Sequence, residues 1–257
     1  MNTLKILSKL KEQFQNGENI SKLLRTMKSE EINSSETIMI SYDFQAGSYT
    51  KIYNTDKTYL EAYTKCIVNT LQKYMPTINS IMEVGVGEAT TLGNVVKQMN
   101  QKPKHVYGFD ISWSRIKYAK AFVKRVGIEN CTLFTGNLFS IPMKDNAIDI
   151  VYTSHSIEPN GGNEKPAIEE LYRIAKEYLV LLEPCYELAS PEAQARMKSH
   201  GYITKIQETV AQLGYDVVEF RLFDMCSNSL NPTGLTIIKK KKTTENNVEN
   251  PFACPIT

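Results

Sequence analysis

From Ser80 to Ile238 the chain alternates short apolar runs with amphipathic stretches, the rhythm of strands and helices laid in turn onto a mostly parallel sheet. The runs are SIMEV, HVYGF, TLFTG, AIDIVYT, YLVLLE, VVEFRLF and GLTIIKK. Helical spacing falls near Thr90 to Met99, Ser114 to Val126, Glu164 to Ala175 and Pro191 to Leu213, which predicts five βα units followed by two further strands. Only MCSNSLNPT joins the last two runs, too short for the right-handed crossover that a parallel pair requires. The expected fold is therefore α/β, with a seven-stranded, mostly parallel sheet, an antiparallel last strand and helices on both faces.

Two flanking segments break the rhythm. Residues 1–75 predict an N-terminal helical cap or lid. It has Leu and Ile at helical spacing through residue 35, then the aromatic segment SYDFQAGSYTKIY, then a helix from about Asp56 to Tyr74 that Pro76 ends. Residues 76–238 form the core, and 239–257 are polar enough to predict a flexible tail. The Lys239–Lys242 run suits a solvated strand end. The ending PFACPIT is odd for such a tail and suggests a truncated module or a docking peptide; its single Cys-Pro pair cannot complete a four-ligand zinc site, so no metal is expected.

A formal charge of +2, with Lys and Arg dispersed, does not supply the basic stripe of a nucleic-acid binder. No apolar stretch approaches the roughly 20 residues of a membrane span, and the N-terminus lacks the apolar core of a signal peptide, so a cytoplasmic protein without membrane insertion is expected. The five cysteines, Cys66, Cys131, Cys185, Cys226 and Cys254, have no CxxC spacing, and most of them suit small buried hydrophobes.

The sharpest motif is Glu83-Val-Gly85-Val-Gly87-Glu88-Ala89, where a strand gives way to a helix. Glycines at 85 and 87 allow a tight turn and a close approach to a ligand. Asp110 follows 23 residues beyond Gly87 at the end of the next strand, a spacing that suits a carboxylate accepting hydrogen bonds from ribose hydroxyls. A dinucleotide site usually carries a third glycine where this chain has Thr90, and Glu88 in the loop would repel a pyrophosphate while not opposing a cationic cofactor.

These elements resemble the class I, Rossmann-like, S-adenosylmethionine (SAM)-dependent methyltransferases over about residues 80–238. The matching segments are EVGVGEA, GFDIS, TGNLFSIPMKDNAIDIVYTSHSIE and LVLLEP. The resemblance implies SAM as cofactor, S-adenosylhomocysteine (SAH) as product, and no metal. It implies that Glu83, Gly85 and Gly87 line the methionine part, Asp110 holds the ribose, and Ile111 packs on the adenine. Asn137, in place of a frequent Asp, and Leu138 would meet the adenine edge, with Ser154 and His155 bordering the sulfonium. The segments SHSIEPNGG, LLEPCYELAS and NPTGL are similar to a narrower subgroup from bacterial surface-polysaccharide and capsule pathways, including enzymes of O-methyl phosphoramidate decoration.

For a hydroxyl acceptor, His155 is the first candidate for a base, just beyond the fourth strand at the carboxyl edge of the sheet. Glu158 and Glu183, each followed by proline, share that rim as candidate catalytic carboxylates, although Glu183 could equally pin the loop through backbone amides. Tyr42, Phe44, Tyr49 and Tyr53 could form a lid, or simply pack the cap. His200 and Tyr202 are further acceptor-pocket candidates, Trp113 could flank the adenine or join the core, and His105 lies at the wrong edge for catalysis. The favoured reading is O-methylation of a small polar acceptor, phosphorylated or sugar-linked. N-methylation, a nicotinamide-dependent oxidoreductase and a non-catalytic SAM-binding partner are the alternatives, and a homodimer is left open.

Overall fold

The computed structural model describes residues 10–241 and 250–253; Cys254 and the rest of the PFACPIT ending lie outside the described residues. Among the described residues, 10–15 are helical, and four helices follow before the sheet: α1 (Ile20–Lys28), α2 (Ser35–Phe44), α3 (Ser48–Thr55) and α4 (Thr58–Tyr74). The sheet region then runs β1 (Ser80–Val84), α5 (Thr90–Gln98), β2 (His105–Asp110), α6 (Trp113–Arg125), β3 (Cys131–Thr135) and β4 (Ile148–Ser154). It continues through α7 (Glu164–Ile174), β5 (Ala175–Pro184), α8 (Pro191–His200), α9 (Ile206–Gln212), β6 (Asp216–Leu222) and β7 (Thr233–Lys239).

The seven strands form one sheet in the order β3-β2-β1-β4-β5-β7-β6. Strands β1 to β5 pair in parallel, and β7 lies antiparallel between β5 and β6, as the short connection requires. Central strands are buried on both faces, so they carry near-continuous apolar sequence. Ile81, Ile150 and Tyr152 face a layer made by α4, α5 and α6, whereas Met82, Val151 and Leu179 face α7 and α9. Helix α4 buries Ile67, Val68 and Leu71 in the first of these layers, so the last segment before residue 76 is built into the sheet's own packing.

Two expectations are corrected. The count of five βα units is corrected to four, because no helix follows β3: in the segment 136–147, Ile141 N–H donates to Glu170 (2.6 Å), Arg173 donates to the carbonyls of Ile141 and Met143, and the Asn146 and Ala147 N–H groups donate to the carbonyls of Arg173 and Ile174. The single helix expected over Pro191–Leu213 is two, because Gly201 adopts a left-handed conformation (φ 71°) and its N–H closes α8 onto the Lys198 and Met197 carbonyls. Within the described residues of the tail, Phe252 packs edge-on against Tyr107 and Phe134 and bridges Met143.

Gly201 is required twice over, for its dihedral and because a Cβ there would lie 2.0 Å from Nη1 of Arg25. Gly201→Ala is therefore expected to lose at least about 1–2 kcal/mol, the cost of a left-handed non-glycine residue, read as a lower denaturation midpoint at unchanged m.

Candidate active site

The chain order reverses between β1 and β4, and a cavity of about 500 Å³ opens there at the carboxyl ends of β1 to β4. Its floor is the turn after β1. Gly85 (φ 64°) and Gly87 (φ 53°) both take left-handed conformations, and a Cβ on Gly85 would lie 2.2 Å from the Cβ of Ser156. The Gly87 N–H donates to one Asp110 oxygen (2.9 Å) and the Ser112 N–H to the other (2.8 Å). Each oxygen keeps a lone pair for a ligand hydroxyl. Burial raises the Asp110 carboxyl above its ordinary pKa.

Glu83 also lines the cavity, accepts from the Tyr152 hydroxyl (2.8 Å) and is pushed up to about 8 by burial. Ile111, Asn137 and Leu138 line the far end with Phe109 and Phe139. Ser154 shares a hydrogen bond of 2.9 Å with Tyr63, a hydroxyl contributed by α4. The cofactor-binding residues expected from sequence are thus brought to one cavity: Glu83, Gly85, Gly87, Asp110, Ile111, Asn137, Leu138 and Ser154 all line it.

His155 lines the same cavity and is one of four described non-glycine residues with positive φ (52°). Its Nδ1 is 2.8 Å from Glu158 and its Nε2 is 2.7 Å from the Thr233 hydroxyl. Burial opposes the imidazolium, but the Glu158 hydrogen bond and the charges of Glu158 and Glu183 outweigh it and raise the His155 pKa. Asn231 donates to the same Glu158 oxygen (3.2 Å). Glu158 and Glu183 stand behind the cavity wall, not in it. Glu183 is 1% exposed, accepts from the amides of Ser156 (3.0 Å) and Ile157 (3.3 Å), and is pushed up to about 7 by burial.

Tyr42, Tyr49 and Tyr53 line the cavity from the cap, whereas Phe44 packs on Phe14. His200 and Tyr202 pack against each other with their rings tilted by 56°, away from the cavity, and the His200 carbonyl accepts from Asn33. Burial and the nearby Glu158 charge raise the Tyr202 phenol. Trp113 is 61% exposed beneath Lys117, so it neither flanks the cavity nor joins the core.

The Glu88 expectation is corrected. This side chain is 0% exposed and points out of the turn, accepting from the backbone N–H groups of Gly47 (2.8 Å), Tyr49 (3.3 Å) and Thr50 (2.7 Å) at the start of α3. It caps α3 and so says nothing about pyrophosphate. Sequence reasoning also missed Arg115, which is 2% exposed, lies between the rings of Tyr42 and Tyr49 (4.7 Å from each) and donates to the Tyr42 carbonyl. Its place four residues after Ile111 in the first turn of α6 was the available signal. Thr233 and Asn231 were missed as well, because only the β5–β7 pairing carries them to His155.

Residues 81–178 match the family model described as a methyltransferase domain. Demethylmenaquinone methyltransferase of Anoxybacillus flavithermus is 35% identical over 71 residues, or 28% of this chain, and the match spans 30% of that relative. Among solved structures, a SAM-dependent methyltransferase from Aquifex aeolicus superposes with a TM-score of 0.55 at 20% identity, covering 75% of this chain and 98% of that one. Magnesium protoporphyrin IX methyltransferase from Synechocystis PCC 6803, solved with bound SAH, gives 0.60 at 14% identity over 79% of this chain and 99% of its own. The fold is that of the class I SAM-dependent methyltransferases.

Two variants test this wiring. Glu88→Gln turns an amide N–H₂ toward backbone donors, so it should cost about 1–3 kcal/mol and speed hydrogen exchange across Ser48–Thr55. Folded Glu183 holds its proton up to about 7 while the unfolded side chain releases it near 4.5, so stability should decline as pH rises across that interval. Glu183→Gln should flatten the decline in denaturation series over the same range.

Proposed function

We propose that this chain is a SAM-dependent O-methyltransferase acting on the hydroxyl of a small polar molecule. The observation that carries the reading is the opening of Asp110 and His155 onto one cavity, a nucleoside anchor and a candidate base under one lid. The cavity fits SAM: the side-chain-free cradle at Gly85 and Gly87 accepts a close ligand, and Asp110 keeps acceptor capacity for two ribose hydroxyls. Ile111 and Leu138 would sandwich the adenine, Asn137 would accept from its amino group, and Glu83 would face the ammonium. Bound there, SAM supplies an electrophilic methyl group on a sulfonium, a chemistry with no intrinsic need for a metal.

The chain's part is positioning and proton handling. Tyr42, Tyr49 and Tyr63 wall the acceptor side and exclude water, and Ser154 with His155 borders the reacting end. Tyrosine faces suit a sugar ring, and the Arg115 guanidinium suits a phosphate, which supports a sugar-linked or phosphorylated acceptor. A role in surface-polysaccharide or capsule synthesis, in the cytoplasm, completes the proposal. Its support is that SHSIE, LLEPC and NPTGL, distant in sequence, meet in one network: Ser156 with Glu183, His155 with Thr233, and Asn231 with Glu158.

Calorimetry should show SAM and SAH binding and no binding of NAD. Asp110→Ala should weaken SAM about 10- to 100-fold, the loss of charge-assisted hydrogen bonds. His155→Ala should keep SAM affinity and lose about 10²-fold or more in turnover; unchanged turnover would favour N-methylation.

A further inference from the structure

We propose that Thr233 is the residue that takes the acceptor's proton, passing its own hydroxyl proton to His155; this rests on the O-methylation reading above. His155 has no free ring nitrogen. Nδ1 is held by the Glu158 carboxylate at 2.8 Å and Nε2 by the Thr233 hydroxyl at 2.7 Å. A carboxylate only accepts, so the neutral ring carries its proton on Nδ1 and leaves the lone pair on Nε2, to which Thr233 donates. Thr233 lines the cavity, and its oxygen retains lone pairs for an acceptor O–H.

The result is a carboxylate–imidazole–hydroxyl chain, the arrangement that activates a hydroxyl in acyl transfer, here directed at a ligand's hydroxyl. Its parts are rigid. Thr233 opens β7, its carbonyl accepts from Phe223 N–H (2.8 Å), and the preceding Pro232 carbonyl accepts from Cys185 N–H (2.8 Å). His155 is held at a positive φ, backbone strain of the kind retained at working sites. In the step, a lone pair of the acceptor oxygen would attack the methyl carbon, the carbon–sulfur bond would break with its pair going to sulfur to leave a neutral thioether, and the O–H bonding pair would stay on the acceptor oxygen. Its proton goes to Thr233 Oγ, and the Thr233 proton goes to His155 Nε2. The groups facing the new imidazolium are Glu158 from its own loop, Glu183 from β5, and the neutral Asn231 and Thr233 from the β7 side, with Tyr202 beyond Glu158.

The test pairs kinetics with nitrogen-15 NMR of the His155 ring in the cofactor-free protein. The relay predicts an Nδ1–H tautomer with unprotonated Nε2 at a pH above the His155 titration. It also predicts that Thr233→Val lowers kcat about 10²-fold at unchanged SAM affinity, and that Thr233→Ser, which keeps the hydroxyl, recovers most of the loss. An Nε2–H tautomer, with Thr233 merely accepting, overturns the relay. So does undiminished kcat in Thr233→Val, which would mean that a freed Nε2 works directly. An unmodified protein that binds SAM, shows the Nδ1–H tautomer and methylates amines but no hydroxyl overturns the O-methylation reading instead.

Discussion

The turn between β1 and α5 is the element on which the rest of the site depends, because its backbone and side chains are committed in three directions. Gly87 N–H holds Asp110, Val86 N–H donates to the Phe109 carbonyl, and Glu88 reaches outward to the first turn of α3. The two left-handed glycines make this packing feasible, since a side chain at Gly85 would collide with Ser156. A buried carboxylate facing three helix-terminal N–H groups is favourable only while both partners stay in place. The cavity floor and α3 are therefore one mechanical unit.

A second set of constraints fixes the wall opposite. Glu183 is drawn into the protein by the Ser156 and Ile157 amides, and this shapes the loop that carries His155. Inserting β7 between β5 and β6 brings Thr233 and Asn231 to the same loop. An acidic group that never touches the cavity thus sets the orientation of one that does. Arg115 plays the matching part on the other side, where two cap tyrosines hold its guanidinium against the core.

The strand pattern, the antiparallel seventh strand and the Gly85, Gly87 and Asp110 constellation were legible in the chain because they depend on local rules: apolar periodicity, connection length, and a turn that only glycine makes easily. The split at Gly201 carried a local signal too, a glycine where helical spacing otherwise continued. That one βα unit lacks its helix was harder to see, because part of the segment after β3 is held from about thirty residues away, by the Glu170 and Arg173 side chains and the Arg173 and Ile174 carbonyls.

Side-chain roles were decided by tertiary structure. Glu88 sits within the glycine-turn motif by sequence yet caps α3, and Thr233 sits 78 positions from His155 yet bonds to it. The chain by itself determined which backbone turns could form and hence where a cofactor could lie. Which carboxylate caps a helix, which pins a loop and which orients a histidine was settled only when distant strands were packed together, because a buried polar group takes its role from the partner that desolvation forces it to find.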